Sequence, residues 1–166
     1  RLIVAAEGHD VANAKTFDQL LQHAPANIVD VDQHAIAALI FTSGTAGAPR
    51  AAMLSHHNLL TNLQQLMQLS PLTQQDVVFG VLPLFHIFGL NVVLGLSMFV
   101  GASVVLVQRF DPVTALETFA ERRVTVVPGA PPVWTALSQV PGVNAASFST
   151  VRLALTGASK MPEDIT

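Results

Sequence analysis

Short apolar runs alternate along the chain with longer segments in which apolar residues recur at helical spacing. The runs at residues 37–41, 77–82, 102–107, 124–127 and 151–155 predict strands. The intervening segments 55–69, 87–100, 111–123 and 131–139 predict helices. Because the strands are apolar on both faces and alternate with helices, they predict an α/β fold with a largely parallel sheet and helices on both faces.

Local signals predict where two of these helices begin or end. Ser55 is a favourable N-cap for the helix that runs to about Leu69. The apolar face of that helix is predicted to comprise Leu59, Leu60, Leu63, Leu66 and Met67. Gly101 is expected at the C′ position of the helix that begins near Ile87.

Further signals bound the helix at 111–123. Asp111 before Pro112 predicts an N-cap followed by proline at the first helical position. Arg122 and Arg123 are predicted to lie in its last turn, where cations suit the helix dipole. Glu163, which follows a proline, predicts another helix start.

Residues 87–107 contain no charge and are long enough to span a bilayer, so a membrane-embedded segment is one interpretation. Glycines at 89, 95 and 101 and the β-branched run at 102–107 favour a buried helix followed by a buried strand. We therefore predict no integral membrane span.

Composition narrows the function. Charged residues make up 11% of the chain, against about 25% in an ordinary soluble domain, and apolar residues make up 51%, so the chain can bury a sizeable core. The net charge of −3 excludes a strongly basic nucleic-acid-binding surface. The absence of cysteine excludes disulfides, thiol nucleophiles and zinc–thiolate sites. The sequence contains no two histidines at i, i+4 spacing, so it gives no support for a metal site built from histidines on one helix face.

The charges are also unevenly distributed. Between Asp32 and Arg109 the only formal charges are Arg50 and Asp76. We expect this segment to be enclosed by protein. Because the chain also lacks an initial Met, we expect it to be an internal fragment. Residues 1–36 are more polar and are expected to be a lead-in segment, followed by a partial domain at 37–166.

A Gly- and hydroxyl-rich loop follows the strand at 37–41. The loop contains the hydroxyl residues Thr42, Ser43 and Thr45 and the glycines Gly44 and Gly47. Glycine permits a tight turn and close approach to a ligand, hydroxyls donate hydrogen bonds, and the Arg50 guanidinium matches phosphate. The loop is either a polyphosphate cradle or a flexible turn. It does not match the P-loop G-x-x-x-x-G-K-[ST].

Three segments resemble the adenylate-forming (AMP-binding) enzymes, which include acyl-CoA synthetases. T-S-G-T-A-G-A-P-R at 42–50, with M-L-S-H at 53–56, resembles their phosphate-binding signature, usually T-S-G-T-T-G-x-P-K-G and M-L-[ST]-H. L-P-L-F-H-I-F-G-L at 82–90 resembles the L-P-x-F-H segment of acyl- and aryl-CoA ligases. L-T-G-A-S at 155–159 resembles the strand and loop beside the adenine and acyl pocket. Ala46, Arg50 and Ala51 replace the usual Thr, Lys and Gly, which affects rate and nucleotide affinity more than identity.

The resemblance implies ATP-dependent activation of a carboxylic acid, foremost a fatty acid, to an acyl-adenylate, and transfer to coenzyme A. It assigns the residues 42–45, 47 and 50 to ATP, with Thr45 near Mg2+ and Arg50 offsetting charge. Gly157, Ala158 and Ser159 are assigned to the nucleotide. His86 is assigned to orienting the substrate carboxylate; without the resemblance, a lone His in an apolar segment is more often a core residue.

Several alternatives stay open. One alternative is that the substrate is an aromatic acid of coumarate type. Another is that the domain is a non-catalytic remnant that binds nucleotide or acyl chains. The acceptor is coenzyme A or a carrier protein, and the oligomeric state is undefined. The family's later motifs are absent from these residues, so we expect the fragment alone to be inactive. By resemblance we expect a cytoplasmic protein, with peripheral membrane contact as the alternative.

Other side chains near the predicted site are ambiguous. The candidates for an acyl tunnel, which are equally candidates for core, are Phe85, Phe88, Leu90, Val92 and Val93. Trp134 is a candidate for core or pocket wall. The nearest acids, Asp76 and Asp111, look like turn and cap residues, so no carboxylate is ready to bind the ammonium group of an amino acid.

Overall fold

The computed structural model describes residues 4–5, 15–42, 50–69 and 71–161. The chain divides into two compact units, Arg1–Asp32 and Gln33–Thr166. In the first unit, strand β1 (Val4–Ala5) pairs in parallel with β2 (Lys15–Thr16), and helix α1 (Phe17–Leu21) follows. Thr16 and Gln19 each accept the other's backbone N–H, which forms a capping box at the start of α1.

The second unit begins with an antiparallel hairpin. Strand β3 (Ile36–Thr42) pairs with β4 (Arg50–Ser55). The prediction of β3 is confirmed, but the sequence interpretation led directly from Arg50 into a helix and missed β4. The alanines and Met53 of β4 carry no strong strand preference, and the strand forms because it pairs with β3.

Helix α2 (His56–Leu69) begins where the sequence predicts. The Ser55 hydroxyl accepts the Asn58 N–H at 3.1 Å, and the Asn58 side chain accepts the Ser55 N–H at 3.1 Å, so the predicted cap is confirmed. Leu63 is buried, whereas Leu60 is 47% exposed. Leu60 thus belongs to the predicted apolar face but lies at its exposed margin, because the face that packs in the core is narrower than the apolar stripe.

Four parallel strands form the central sheet. They are β5 (Val77–Gly80), β6 (Ser103–Leu106), β7 (Val126–Gly129) and β8 (Leu153–Thr156), in the spatial order β6-β5-β7-β8. Their connections contain a π-helix (Phe88–Gly95), α3 (Leu96–Val100), α4 (Pro112–Glu121), α5 (Pro131–Ser138) and a 3₁₀ turn (Ala145–Phe148). The predicted α/β class with a parallel sheet flanked by helices is confirmed.

Helices cover both faces of this sheet, as the side chains of the central strands show. Val78 and Val126 pack in one core cluster, with Leu63 of α2 and Val93 of the π-helix. The next residue of each strand faces the opposite way. Those residues belong to a second cluster that also contains side chains of α4 and α5: Phe79, Ala115, Phe119, Val124, Val127 and Leu137.

Three predicted strands had wrong boundaries, among them β8, which starts at Leu153 rather than residue 151. Strand β5 ends at Gly80 rather than near residue 82. Strand β7 starts at Val126 rather than residue 124 and continues through Pro128. Thr125 lies just before β7, although its N–H donates to the Val77 carbonyl at 2.9 Å and its carbonyl accepts the Leu153 N–H at 3.1 Å. Its hydroxyl in addition accepts the Val77 N–H at 3.0 Å.

The segment predicted as a buried helix at 87–100 is helical, but its first part is a π-helix. It is also less buried than expected, since Met98 is 73% exposed. Gly101 has a φ of 78° and ends α3 in the left-handed conformation, as predicted. Among the described residues, no helix combines the length and the apolar character needed to cross a bilayer.

The end of α4 also differs from the prediction, whereas its start agrees. The Asp111 carboxylate accepts the Thr114 N–H at 2.8 Å, which confirms the cap. The helix ends at Glu121, so Arg122 is the C-cap residue and Arg123 lies beyond it with a φ of 52°. Their placement in the last turn was wrong. The predicted helix start at Glu163 lies outside the described residues.

Candidate functional site

A cavity of about 590 Å³ lies beside α2, the π-helix and the carboxyl end of β8. Ligands of parallel α/β folds bind beyond the carboxyl ends of strands, and pockets for small molecules commonly measure ~300–1,000 Å³. The residues that line the cavity are Leu54, Asn58, Leu59, Asn62, Leu66, Leu69, His86, Ile87, Phe88, Asn91, Val92, Leu96, Leu155, Thr156, Gly157 and Ala158. None of these lining residues is Asp, Glu, Lys or Arg. The wall suits a largely apolar molecule with a few polar groups.

His86 lies on this wall, in the loop between β5 and the π-helix. The backbone N–H of Phe88 donates to His86 Nδ1 at 3.2 Å. A ring nitrogen that accepts a hydrogen bond carries no proton, so neutral His86 has its proton on Nε2. His86 can therefore donate a hydrogen bond from Nε2 while the backbone holds the other side of the ring.

Gly89 allows the loop that carries His86 to pack directly against the start of the π-helix. A Cβ atom at Gly89 would lie 2.1 Å from the carbonyl oxygen of Pro83. The His86 N–H donates to the same Pro83 carbonyl at 3.1 Å, and the Leu90 N–H donates to the His86 carbonyl at 2.9 Å. No side chain fits between the His86 loop and the π-helix at Gly89. The position of His86 is therefore fixed relative to the first turn of that helix.

The loop after β8 forms another part of the cavity wall. Gly157 packs against the Phe88 ring, 3.1 Å from where its Cβ would lie. Ala158 has a φ of 73°, a conformation that costs an L-residue roughly 1–2 kcal/mol. The structure thus brings Gly157 and Ala158 to the same cavity as His86. Ser159 lies instead in a separate groove beside α5, with Pro131 and Thr135.

The predicted phosphate loop connects the two strands of the hairpin. Thr42 is the last residue of β3 and is paired in register with Arg50, the exposed first residue of β4. The predicted ligands between them, Ser43, Gly44, Thr45 and Gly47, lie outside the described residues. The assignments of these residues to ATP, and of Thr45 to a metal ion, remain predictions. In the part of the chain that the structure describes, no group of three or more His, Cys, Asp or Glu side chains is placed to hold a metal ion.

The five candidates for an acyl tunnel do not lie together, and Leu90, which is half-buried, is not among the residues that line the cavity. Phe88 and Val92 line the cavity. Val93 is fully buried in the core, whereas Phe85 is 85% exposed. Trp134 lines a different cavity of about 410 Å³ and donates from its indole N–H to the Gly129 carbonyl at 3.2 Å.

The two acids near the site have the structural roles that the sequence suggests. The Asp76 carboxylate, 3% exposed, accepts hydrogen bonds from Arg152, Thr125 and Thr73. The Arg152 guanidinium above all holds the pKa of Asp76 well below its usual range, although burial opposes this effect. The backbone N–H of Thr114 lowers the pKa of Asp111. Neither acid lines the cavity.

Sequence reasoning missed a polar contact between two walls of the cavity. Asn91, in the π-helix, is 4% exposed, and its Nδ2 donates to Asn62 Oδ1 of α2 at 2.8 Å. The signal was a single Asn in an otherwise apolar helix, which indicates a buried polar partner. That partner is distant in the sequence and could not be identified from spacing.

The chain matches the family model described as AMP-binding enzyme over residues 2–166. It is 36% identical to 4-coumarate–CoA ligase 2 of Nicotiana tabacum over 82% of this chain and 26% of that protein. It is 29% identical to the long-chain-fatty-acid–CoA ligase of Bacillus subtilis (strain 168) over 93% of this chain and 29% of that protein.

A solved structure shows the same fold. The o-succinylbenzoate CoA synthetase (MenE) of Bacillus subtilis, in complex with the acyl-adenylate intermediate OSB-AMP, superposes with a TM-score of 0.83 and 25% identity. That match covers 99% of this chain and 35% of the synthetase. Fold and site thus define a domain of the adenylate-forming class. The chain belongs to the family of AMP-binding enzymes, and it spans between a quarter and somewhat over a third of the length of these relatives.

Proposed function

We propose that the natural polypeptide carrying this sequence uses ATP to activate a carboxylic acid, foremost a fatty acid, and transfers the acyl group to coenzyme A. The observation that carries this proposal is the position of His86. Its Nδ1 is occupied by the Phe88 N–H, which leaves Nε2–H to donate at the wall of an uncharged cavity. Such a donor orients a carboxylate, while the apolar wall holds the rest of the acid.

The proposed chemistry has two steps. A carboxylate oxygen attacks the α-phosphorus of ATP, the bond to the bridging oxygen breaks, and pyrophosphate leaves. The thiol sulfur of coenzyme A then attacks the acyl carbonyl, AMP leaves, and the thiol proton passes to solvent. The first step needs the reacting groups held in line and the departing charge stabilised.

The residues of this chain are proposed to meet these needs in different ways. His86 orients the acid, Arg50 offsets the charge of pyrophosphate, and the residues 42–45 and 47 donate hydrogen bonds to phosphate oxygens. Thr45 is proposed to lie near the Mg2+ ion that would accompany ATP and would neutralise further phosphate charge. Gly157, Ala158 and Ser159 are proposed to contact the nucleotide. The first two line the cavity with His86, which supports their part of the assignment.

The class of acid is proposed from the chemistry of the cavity. Because none of its lining residues is an acid, it offers no partner for the ammonium group of an amino acid. An aromatic acid is the second candidate, supported by the 36% identity to a 4-coumarate–CoA ligase and by the aromatic ring of Phe88 in the wall. Our proposal includes coenzyme A rather than a carrier protein as acceptor, and a cytoplasmic location rather than a membrane-peripheral one.

We test the function by carboxylate-dependent exchange of pyrophosphate into ATP, using the natural polypeptide and acids from short to long fatty acids and cinnamate types. Arg50→Ala should lower exchange at least ~10-fold, because a charged hydrogen bond to phosphate is lost. The matched control is Arg122→Ala, which removes an exposed arginine at the carboxyl end of α4. ATP binding without exchange for any acid would refute the proposed activity in favour of a binding module.

Two further comparisons complete the test. The first compares the rate of acyl transfer from the adenylate to coenzyme A with the rate of transfer to a carrier protein, and so identifies the acceptor. We also propose that residues 37–166 are part of the nucleotide-binding domain and do not complete the reaction without the rest of the enzyme. Thioester formation by the isolated 166-residue chain would contradict this.

A further inference from the structure

The structure assigns Asn91 a role as a positioning residue. We infer that its buried amide fixes the π-helix against helix α2. The π-helix in turn positions His86, and α2 follows the hairpin that carries the predicted phosphate loop. This inference rests on the proposed function, because it concerns the alignment of the acid with ATP.

The amide of Asn91 is built into the contact between the two helices. Its Nδ2 donates to Asn62 Oδ1 at 2.8 Å and approaches the Leu59 carbonyl at 3.4 Å. A Cβ at Gly95 would lie 3.0 Å from Asn91 Oδ1, so glycine at this position leaves room for the amide. Burial of an amide costs free energy that an apolar side chain would not, and a hydrogen-bonded partner offsets that cost only in one relative position of the helices.

The π-helix transmits this position to His86. The Leu90 N–H donates to the His86 carbonyl at 2.9 Å, and the Phe88 N–H donates to His86 Nδ1 at 3.2 Å. Gly89 lies against the Pro83 carbonyl, so the loop cannot slide over the first helical turn. Any shift of the π-helix relative to α2 therefore moves the imidazole as well.

Helix α2 leads in the other direction, toward the predicted ATP site. Ser55, the last residue of β4, caps α2, and β4 begins at Arg50. The Asn91–Asn62 hydrogen bond thus connects the element that presents the acid to the element that follows the phosphate loop. Because in-line attack depends on the separation of these groups, loss of the bond should impair the reaction more than the binding of ATP.

The test compares Asn91→Ala, Asn62→Ala and the double variant in the natural polypeptide, with acid and ATP varied separately in the exchange assay. We expect kcat/KM for the acid to fall ~5- to 50-fold in each single variant and no further in the double variant. The KM for ATP should change less than about 2-fold. The matched control is Asn144→Ala, which removes the amide that caps the 3₁₀ turn and should leave both parameters unchanged.

A second background separates positioning from general stability. In His86→Ala, the further change Asn91→Ala should have little effect on kcat/KM, since the residue through which it acts is gone. An equal loss in both backgrounds would show a merely structural role and overturn the inference. If Asn91→Ala does not fold, Asn62→Ala removes the same hydrogen bond without emptying the core, because the Asn62 side chain is exposed at the cavity wall.

Hydrogen exchange tests the inference independently of activity. The amides of residues 86–92 should lose at least ~5-fold in protection in Asn91→Ala and Asn62→Ala, but not in Asn144→Ala. If the wild type shows no exchange of pyrophosphate, the proposed function fails, and unchanged protection of these amides would separately overturn the role of Asn91.

Discussion

Replacing Asp76 with Asn should destabilise the domain by loosening the amino-terminal ends of three strands. The carboxylate lies just before β5, is 3% exposed, and accepts the Thr73 N–H at 2.7 Å and the Thr125 hydroxyl at 2.7 Å. Arg152, which precedes β8, donates from Nε at 2.8 Å and from Nη2 at 2.5 Å. Asparagine has nearly the shape of aspartate but no charge. Its NH₂ group would face the N–H and O–H donors that now bind the carboxylate oxygens of Asp76.

The magnitude follows from the burial of the two partners. Breaking a fully buried ion pair costs about 3–5 kcal/mol. The Arg152 side chain is 45% exposed and can recover hydration, so the loss is smaller, about 2–3 kcal/mol at pH 7. In a domain of roughly this size, that loss lowers Tm by about 5–10 °C.

The pH dependence has a definite sign. The pKa of Asp76 in the folded state is held below its usual range, and in the unfolded state it is near 3.9. Its stabilisation is therefore complete well above pH 4 and is lost as pH falls toward the folded-state pKa. The difference in unfolding free energy between wild type and Asp76→Asn should be about 1 kcal/mol smaller at pH 3 than at pH 7.

Calorimetry or urea unfolding of the natural polypeptide at the two pH values measures this difference. The control is Glu117→Gln, which neutralises an exposed carboxylate of α4 and should change the unfolding free energy little. A difference that does not vary with pH, or an Asp76→Asn protein as stable as wild type, would refute the argument from burial and charge.

Three further predictions concern the cavity wall and Gly89, which adjoins it in sequence. Gly89→Ala should destabilise by more than ~3 kcal/mol, measured as loss of Tm or of soluble protein, because its Cβ would lie 2.1 Å from the Pro83 carbonyl oxygen. His86→Ala should raise KM for the acid in the exchange assay by ~10-fold or more while ATP binding persists; a change confined to KM for ATP would contradict its assigned role. Ala158→Gly should raise the unfolding free energy by ~0.5 kcal/mol, since relief of the 73° φ exceeds the added entropy of glycine in the unfolded chain; a lower Tm would contradict this.

Local signals in the sequence predicted much of the fold. The caps at Ser55 and Asp111 and the left-handed Gly101 depend on a few neighbouring residues and were located correctly. Strand β4 was missed because its formation depends on pairing with β3. The start of β7 was misplaced by two residues, at a point where both the backbone and the hydroxyl of Thr125 bond to Val77, 48 residues away in the chain. Errors concentrate where a residue's partner is remote in sequence.

The candidate site divides in the same way. His86 and Gly157 were found through motifs, and the structure places both on one cavity. Ser159 departs from the cavity after the left-handed Ala158, a turn that an alanine does not signal. The bond between Asn91 and its partner joins residues 29 positions apart, and no spacing rule connects them.

The ion pair between Asp76 and Arg152 spans 76 residues, and this separation has a consequence during synthesis. At ~5–20 residues per second, a ribosome takes about 4–15 s to reach Arg152 after Asp76. Throughout that interval the carboxylate lacks its cation, and from the synthesis of β7 until that of β8 the outer edge of β7 is unpaired. An unpaired edge beside apolar side chains invites association with other chains. We therefore expect the nascent chain to depend most on chaperones between the emergence of β7 and that of β8.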